Sequence, residues 1–169
     1  KVKLHIPNNG LPIELNKLQD KFKHMDNYTL LKNEFMDFIT KIIPDEECRQ
    51  YTLRFISKCL SGENRDEGFY IWTGSGGNGK SKLVDLIMKC LGDYACNLPV
   101  SLLTQKRKAS GAANPEMART RGKRFVVMQE PDVNETLNVG EMKEITGNDM
   151  IQARGLYKEP YEFKPQFKM

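Results

Sequence analysis

Apolar residues recur at helical spacing in three stretches of the chain, which predicts three amphipathic helices. The first is expected to begin at Asn27 as its N-cap and to end before Pro44. The second should begin after Asp45 and end at Ser61, and the third should follow residue 81 and end at Gly92. Their apolar faces are, in chain order, Leu31, Phe35, Phe38 and Ile42; then Cys48, Tyr51, Thr52, Phe55, Ile56 and Cys59; then Leu83, Leu86, Ile87, Cys90 and Leu91. Because only a short break separates the first two helices, they predict a helical hairpin that packs on a sheet.

Short runs rich in β-forming residues alternate with these helices, which predicts an α/β fold. Buried strands are expected at Gly68–Thr73 and Phe125–Glu130, with a shorter strand at Leu98–Leu103. Two further runs predict a β-hairpin that carries Arg154 and Lys158 towards its tip, and they are Met150–Arg154 and Tyr161–Lys164. Short helices are expected after Asn114-Pro115 and over Gly140–Thr146, and residues 1–25 are expected to form a partly extended arm.

The bulk composition is that of an ordinary globular domain. The 169 residues are 39% hydrophobic and 28% charged, which suits one domain with an appendage. The four cysteines show no C-x-x-C spacing and there are two histidines, so zinc is disfavoured and reduced, packed cysteines are expected. No apolar run reaches the length of a membrane span and no signal peptide is visible, which indicates an intracellular protein without a membrane association. Because the chain begins at Lys and ends within a strand-like run, we expect it to be a fragment.

Positive charge is concentrated in one segment. The net charge of +4 is modest, but Thr104–Arg124 holds seven Lys or Arg residues and one Glu. Such a segment is a candidate contact for a polyanion, although an ordinary solvated loop has the same composition.

The most informative stretch is Gly74-Ser75-Gly76-Gly77-Asn78-Gly79-Lys80-Ser81, which fits the phosphate-loop pattern G-x-x-x-x-G-K-[ST]. It lies between a predicted strand and a predicted helix, which is the order that phosphate binding requires. Glycines let backbone N–H groups surround a polyphosphate, and the helix N-terminus adds positive potential. The candidate nucleotide-binding residues are Gly74, Gly76, Gly77, Asn78, Gly79, Lys80, Ser81 and Lys82. Lys80 is expected to reach the β- and γ-phosphates of ATP and Ser81 to ligate Mg²⁺; the alternative is a glycine-rich turn.

An acidic residue ends the predicted strand at Phe125–Glu130. A carboxylate at the carboxyl end of a buried parallel strand is suited to hold a Mg²⁺-linked water or to act as its general base. Glu130 is therefore a candidate catalytic residue and metal ligand, the alternative being an incidental surface Glu.

Three motifs in order resemble superfamily 3 helicases: GSGGNGKS at 74–81, RFVVMQE at 124–130 and TGNDMIQARGLYK at 146–158. The similarity is greatest to the helicase domain of primase–helicases from poxviruses, mimiviruses and related large DNA viruses, and of satellite-phage and plasmid primases. It covers roughly residues 30–169, and the third motif is the specific one.

The resemblance implies a P-loop NTPase of AAA+-like fold, with a central, mostly parallel sheet preceded by a helical hairpin. Residues 1–62 would form an arm and helical linker or collar, and residues 63–169 an incomplete ATPase core. The protein would assemble as a hexameric ring that moves along single-stranded DNA using ATP. Lys80 and Ser81 would bind phosphate and Mg²⁺, and Glu130 would polarise the attacking water. Arg154 and Lys158, on a hairpin at 149–164, would contact DNA. A viral protein of this kind would act in the host-cell cytoplasm or reside in the virion.

Two departures from the family pattern bear on activity. Many members end the second strand with two acids, whereas this chain has Gln129-Glu130, so metal positioning would rest on Ser81, Glu130 and waters. The family's sensor asparagine and arginine finger would lie beyond Met169. Since an arginine finger contributes a factor of ~10³–10⁵ to turnover, we expect the chain alone to bind nucleotide but to hydrolyse it weakly.

Two other functions fit the same motifs. A P-loop kinase for a nucleoside or small metabolite would need an arginine-rich lid, for which the basic segment at 104–124 could be mistaken. A nucleotide-gated assembly module would lack motor action. Monomeric phosphorylation of a small acceptor favours the first, and nucleotide-dependent assembly without DNA binding favours the second.

Overall fold

The computed structural model describes residues 27–105 and 112–169. These fall into two compact units, one of residues 27–61 and 72–87 and the other of residues 62–71, 88–105 and 112–169. The predicted arm at 1–25 lies outside the described residues, as do the basic residues at 106–108.

The first unit contains the predicted helical hairpin. Helix α1 spans Tyr28–Ile42, helix α2 spans Glu46–Ser61, and helix α3, Lys80–Leu91, begins in this unit. Asp45 caps α2, because its Oδ2 accepts a hydrogen bond from the Cys48 N–H at 2.7 Å. The N-cap role predicted for the Asn27 side chain is wrong, since that side chain makes no capping hydrogen bond.

The buried faces of these helices differ from the predicted apolar stripes. Ile39 is the buried residue of α1, whereas Leu31 is 56% exposed, because only the last turns of α1 are covered. On α2 the buried residues are Arg49, Thr52, Phe55 and Cys59, and the predicted stripe residue Tyr51 is 55% exposed. The face of α2 is therefore rotated so that Arg49 turns inwards.

The second unit contains a parallel pair of strands. After a short 3-10 helix, Gly92–Tyr94, strand β1 (Ala95–Leu98) pairs with strand β2 (Phe125–Met128) in parallel register. The strand predicted at Leu98–Leu103 is wrong beyond Leu98, where helix α4 (Ser101–Thr104) forms instead. Pro99 offers no N–H to a ladder, and its carbonyl accepts from the Leu102 N–H at 3.2 Å, so the chain turns. The predicted helix after Asn114 is confirmed as α5, Pro115–Ala118.

The other edge of β2 is extended by the C-terminal residues. The Val126 N–H donates to the Lys168 carbonyl at 2.9 Å, and the Lys168 N–H donates to the Arg124 carbonyl at 3.0 Å, in a parallel bridge. The Tyr70 N–H in turn donates to the Met169 carbonyl at 2.9 Å. Backbone hydrogen bonds thus link four segments in the order β1, β2, residues 168–169 and residue 70.

The segment Gly68–Thr73, predicted as a buried strand, is not one. It has no assigned strand, and Ile71 is 68% exposed. A strand needs a continuous ladder with a neighbour, and among the described residues the backbone of this segment is linked to the C-terminal residues through the Tyr70 N–H and the Met169 carbonyl.

The remaining predicted elements of the second unit are confirmed. Helix α6 spans Val139–Thr146 and is capped by Asn138, whose Oδ1 accepts from the Gly140 and Glu141 N–H groups at 3.0 and 3.2 Å. Strands β3 (Ile151–Ala153) and β4 (Tyr161–Phe163) form the antiparallel hairpin. One core joins hairpin, helices and parallel pair, and it consists of Leu98, Leu103, Met117, Val126, Ile145, Ile151, Ala153, Phe163, Phe167 and Met169.

The α/β class is therefore confirmed, with two small sheets. Parallel pairing is confined, in the described residues, to β1, β2 and the Lys168 bridge. None of the helices within 27–105 and 112–169 has the length and apolarity needed to cross a membrane.

Candidate functional site

The glycines of the loop at 74–81 adopt backbone angles that other residues avoid. Gly74, Gly77 and Gly79 have φ values of 152°, 76° and 84°. A Cβ at Gly79 would also lie 2.7 Å from Ile42 Cγ1, and one at Gly74 would lie 2.5 Å from Asn78 Nδ2. The loop therefore requires glycine at 79 for both conformation and space, and at 74 for its conformation.

Lys80 is the first residue of α3 and its side chain folds back over this loop. Its Nζ donates to the carbonyls of Gly74 and Ser75 at 3.1 and 3.4 Å and to Asn78 Oδ1 at 2.8 Å. These contacts hold an ammonium group above a backbone of glycines at a helix N-terminus, where unpaired N–H groups carry positive potential. Residues 74–82 contain Lys80 and Lys82 and no carboxylate, so the potential of this segment is positive.

The other predicted loop residues complete the same junction. Ser81 and Lys82 are exposed on the first turn of α3. A Cβ on Gly76 would meet no atom within 4 Å, so the backbone there is open to a ligand. The chemistry that this arrangement suits is binding of an anion with several oxygen atoms.

Glu130 lies in the second unit, two residues after β2. Phe125 and Val126 of that strand are buried, whereas Gln129 and Glu130 are exposed. The structure therefore places the Glu130 carboxylate at the carboxyl end of a parallel strand, open to solvent.

Arg154 and Lys158 lie together in the loop that joins β3 to β4. The Arg154 Nε donates to the Lys158 carbonyl at 3.0 Å. Asn114 fixes the base of this loop, because its N–H donates to the Arg154 carbonyl at 2.9 Å and its Oδ1 accepts from the Arg154 N–H at 2.8 Å. The Asn114 side chain makes no capping hydrogen bond with α5 and serves the hairpin instead.

The tip of this loop presents two apolar side chains that sequence reasoning did not single out. It is a turn closed by the Lys158 N–H, which donates to the Gly155 carbonyl at 3.3 Å. Tyr157 is fully exposed and has a φ of 56°, and Leu156 is 61% exposed. A left-handed conformation costs a non-glycine residue about 1–2 kcal/mol. The sequence signal that could have indicated this tip is the apolar pair Leu156-Tyr157, which lies between the basic residues Arg154 and Lys158.

The described part of the basic segment is largely bound within its own unit. Arg119 Nη2 donates to the Asn97 carbonyl, Lys123 Nζ donates to the Asp93 carbonyl at 2.5 Å, and Arg121 lies 5.1 Å from the centre of the Tyr161 ring. These contacts tie the segment to β1 and β4, so it is not a free basic loop.

Arg124 does not belong to any surface patch, since its side chain is fully buried. Its Nη1 donates to Gln166 Oε1 at 2.6 Å, while its Nε and Nη2 find no hydrogen-bond partner among the described residues. A Cβ at Gly62 would lie 2.3 Å from Arg124 Cζ, so the guanidinium packs directly under this glycine. Burial lowers the pKa of Arg124 from its ordinary value, and Tyr94 opposes that shift. Burial explains why this residue cannot contact a polyanion.

Comparisons with known proteins connect the chain to viral replication proteins. A family described as a family of unknown function (DUF5906) matches residues 72–169, which is more than half of the chain. A relative named "Putative helicase L207/L206", from Acanthamoeba polyphaga mimivirus, is 45% identical over 156 residues, which cover 92% of this chain and 15% of the relative.

Two further relatives are more distant. "Putative helicase 022R" of Frog virus 3 is 38% identical over 156 residues, covering 86% of this chain and 16% of that protein. "Putative primase C962R" of African swine fever virus (isolate Warthog/Namibia/Wart80/1980) is 30% identical over 136 residues, covering 80% of this chain and 14% of that protein. The chain thus spans only about a seventh of the length of the curated relatives that it matches.

Proposed function

This chain belongs to the DUF5906 family, and we propose that it is the ATP-binding core of a superfamily 3 DNA helicase from a replication protein of a large DNA virus. In this proposal the protein binds ATP with Mg²⁺, hydrolyses it, and moves along single-stranded DNA as a hexameric ring inside the infected host cell. The names of the viral relatives, helicases and a primase, support this class of activity.

The observation that carries the proposal is the geometry of the loop at 74–81. Three glycines with positive φ lead into α3, and the Lys80 ammonium is held over the loop by two carbonyls and Asn78. A glycine-rich turn without a ligand has no need of a lysine folded over it, or of a carboxylate-free sequence at a helix N-terminus. A polyphosphate uses all three features.

The order of extended segments in the second unit supports a P-loop NTPase fold. Residue 70, just before the loop, bonds to Met169, and β2 separates residues 168–169 from β1. Residue 70 and β1 thus lie at opposite ends of this order, and the chain crosses from one end to the other before it returns through β2 to residues 168–169. A long connection of this kind, which includes α3, is typical of α/β folds, the class to which P-loop NTPases belong.

The residue roles follow from this proposal. Backbone N–H groups of the loop, from Gly74 to Gly79, would surround the phosphates, with Lys80 on the β- and γ-phosphates and Lys82 nearby. Ser81 and Glu130 would position Mg²⁺, which usually keeps several waters and takes few protein ligands, and Glu130 would polarise the attacking water. Bound Mg²⁺ would neutralise charge on the transferred phosphoryl group. Arg154 and Lys158 would contact DNA.

The nucleotide part is tested by titrating MgATP into the chain and into Lys80→Ala. Because hydrogen bonds from a charged donor contribute about 1.5–3 kcal/mol, we expect Lys80→Ala to lose roughly 10- to 150-fold in affinity. Lys89→Ala, an exposed lysine in the last turn of the same helix, is the matched control and should bind normally. Absence of MgATP binding, or equal affinity for Lys80→Ala and the parent, would refute the nucleotide site.

The motor part needs a separate measurement. ATP turnover is compared with and without single-stranded DNA, both for this chain and for a longer polypeptide of the length of its relatives. Stimulation by DNA in the longer polypeptide supports the helicase. If ATP is bound and DNA changes nothing, the nucleotide site stands and the motor proposal fails.

A further inference from the structure

The tip of the β3–β4 hairpin places a large aromatic side chain wholly in solvent. Tyr157 is 102% exposed and its neighbour Leu156 is 61% exposed. Aromatic side chains of this size usually bury most of their area, and an exposed one that forms part of a protruding turn is a candidate binding group.

The backbone holds Tyr157 in this position at a cost. Its φ of 56° falls at the third position of the turn closed between Gly155 and Lys158, where glycine or asparagine is usual. Such an outlier in a bulky residue points to a function of the side chain. The turn is held at its base by Asn114 and across its middle by the Arg154 Nε contact with the Lys158 carbonyl, so the ring is presented on an ordered loop.

The charge of the tip is too small to account for DNA binding by phosphate contacts alone. Arg154 and Lys158 are positive, but Glu159 follows directly and is exposed. Two phosphate contacts give only weak binding, whereas stacking of a base on an aromatic ring adds affinity that depends little on base sequence. The ring also offers a basis for selectivity, since bases in a duplex are already stacked on each other.

We propose that Tyr157 stacks against an unpaired base, so that the hairpin binds single-stranded DNA through a base at Tyr157 and through phosphates at Arg154 and Lys158. The inference rests on the proposed function, because it specifies which part of the DNA this hairpin recognises. It predicts that the hairpin discriminates single strands from duplexes and shows little preference among bases.

The test is fluorescence anisotropy with two labelled oligomers of equal length, one of thymidines and one of abasic sugar-phosphate. Tyr157→Ala should bind the thymidine oligomer about 5- to 150-fold more weakly than the parent, and the abasic oligomer equally well. Tyr157→Phe keeps the ring and should bind both as the parent does. Lys158→Ala should weaken both oligomers alike. Alanine at 157 keeps the same backbone demand as tyrosine, so the fold of the turn is matched.

Several outcomes would overturn the inference. Tyr157→Ala could bind the thymidine oligomer as the parent does, or it could lose affinity equally for both oligomers. A fall in oligomer size for Tyr157→Ala in sedimentation, with DNA affinity retained, would instead assign the ring to contact with a second copy of the chain. If the parent binds neither oligomer, the DNA part of the proposed function fails as well, whereas parent binding with no effect at 157 removes only the stacking role.

Discussion

Three glycines of the loop at 74–81 differ in two physical properties that alanine substitution can separate. Gly76 lacks a positive φ and would place its Cβ in open space. Gly77 has a φ of 76° and again open space, whereas Gly79 has a φ of 84° and would place its Cβ 2.7 Å from Ile42 Cγ1. Alanine at 76 therefore disturbs neither the backbone conformation nor the packing and serves as the reference. Alanine at 77 disturbs the conformation alone, and alanine at 79 disturbs both.

The expected losses of stability follow from these differences. Gly76→Ala should be neutral or stabilise by about 0.4–1 kcal/mol, because it restricts only the unfolded chain. Gly77→Ala should lose about 1–2 kcal/mol from its left-handed backbone. Gly79→Ala adds an overpacking cost of about 1–3 kcal/mol against Ile42, which makes about 2–5 kcal/mol in total.

The assay is urea unfolding followed by the fluorescence of Trp72. It is the single tryptophan of the chain, it belongs to the same unit as the loop, and its ring packs edge-on to Phe55 with centroids 5.9 Å apart. Shifts of the midpoint at constant slope give the differences in unfolding free energy. Ile42→Ala in the Gly79→Ala background should recover the steric part, which appears as a coupling energy of about 1–3 kcal/mol in the double-mutant cycle.

Two results would refute this reasoning. Equal stability of Gly76→Ala and Gly77→Ala would mean that the positive φ at 77 is not required by the folded loop. A Gly79→Ala variant no less stable than Gly77→Ala, or without coupling to Ile42, would mean that helix α1 does not pack against the loop.

Two further predictions concern residues outside the loop. Arg49→Ala should lower the free energy of unfolding by about 2 kcal/mol in a thermal melt, because Arg49 Nη1 donates to the Ile43 and Pro44 carbonyls at 2.7 and 2.8 Å. Arg49→Lys should recover only part of this stability. An unchanged melting temperature for Arg49→Ala would contradict a stabilising role for these two hydrogen bonds. Burial raises the pKa of the Cys96 thiol above its ordinary 9.0, so alkylation at pH 8, followed by mass spectrometry, should be slower there than at the exposed Cys48. Because the pKa of this thiol is higher in the folded than in the unfolded chain, its contribution to stability is complete below pH 9.0 and is lost as the pH rises further. Equal alkylation rates at Cys96 and Cys48 would count against the burial of Cys96.

Local patterns predicted the helices well because their signals lie within a few residues. Spacing of apolar residues placed α1, α2 and α3, and α2 begins directly after Asp45 as expected, with Asp45 as its cap. The faces were less predictable. Arg49 is buried at 8% exposure because the carbonyls at the end of α1 accept its guanidinium, and nothing in the apolar spacing shows where those carbonyls will lie.

Buried charges were the main failure of sequence reasoning in the second unit. Arg and Lys side chains are usually exposed, yet Arg124 and Lys168 are 0% and 2% exposed. Lys168 Nζ donates to the Glu63 carbonyl at 2.6 Å, and a carboxylate of Asp66 lies 3.8 Å away. These partners are more than a hundred residues away in sequence, and long-range contacts of this kind decide burial independently of local pattern.

The two halves of the proposed function consequently rest on different kinds of prediction. The loop at 74–81 is specified within eight residues, since its glycine angles and the Lys80 contacts all arise locally. The hairpin depends on Asn114, forty residues before Arg154, and its exposed tyrosine became visible only in the folded chain. Alanine at 114 would leave the Arg154 N–H without its side-chain acceptor, so it should loosen the hairpin while sparing the loop. Unequal effects of Asn114→Ala on DNA and MgATP affinity would therefore separate the two sites.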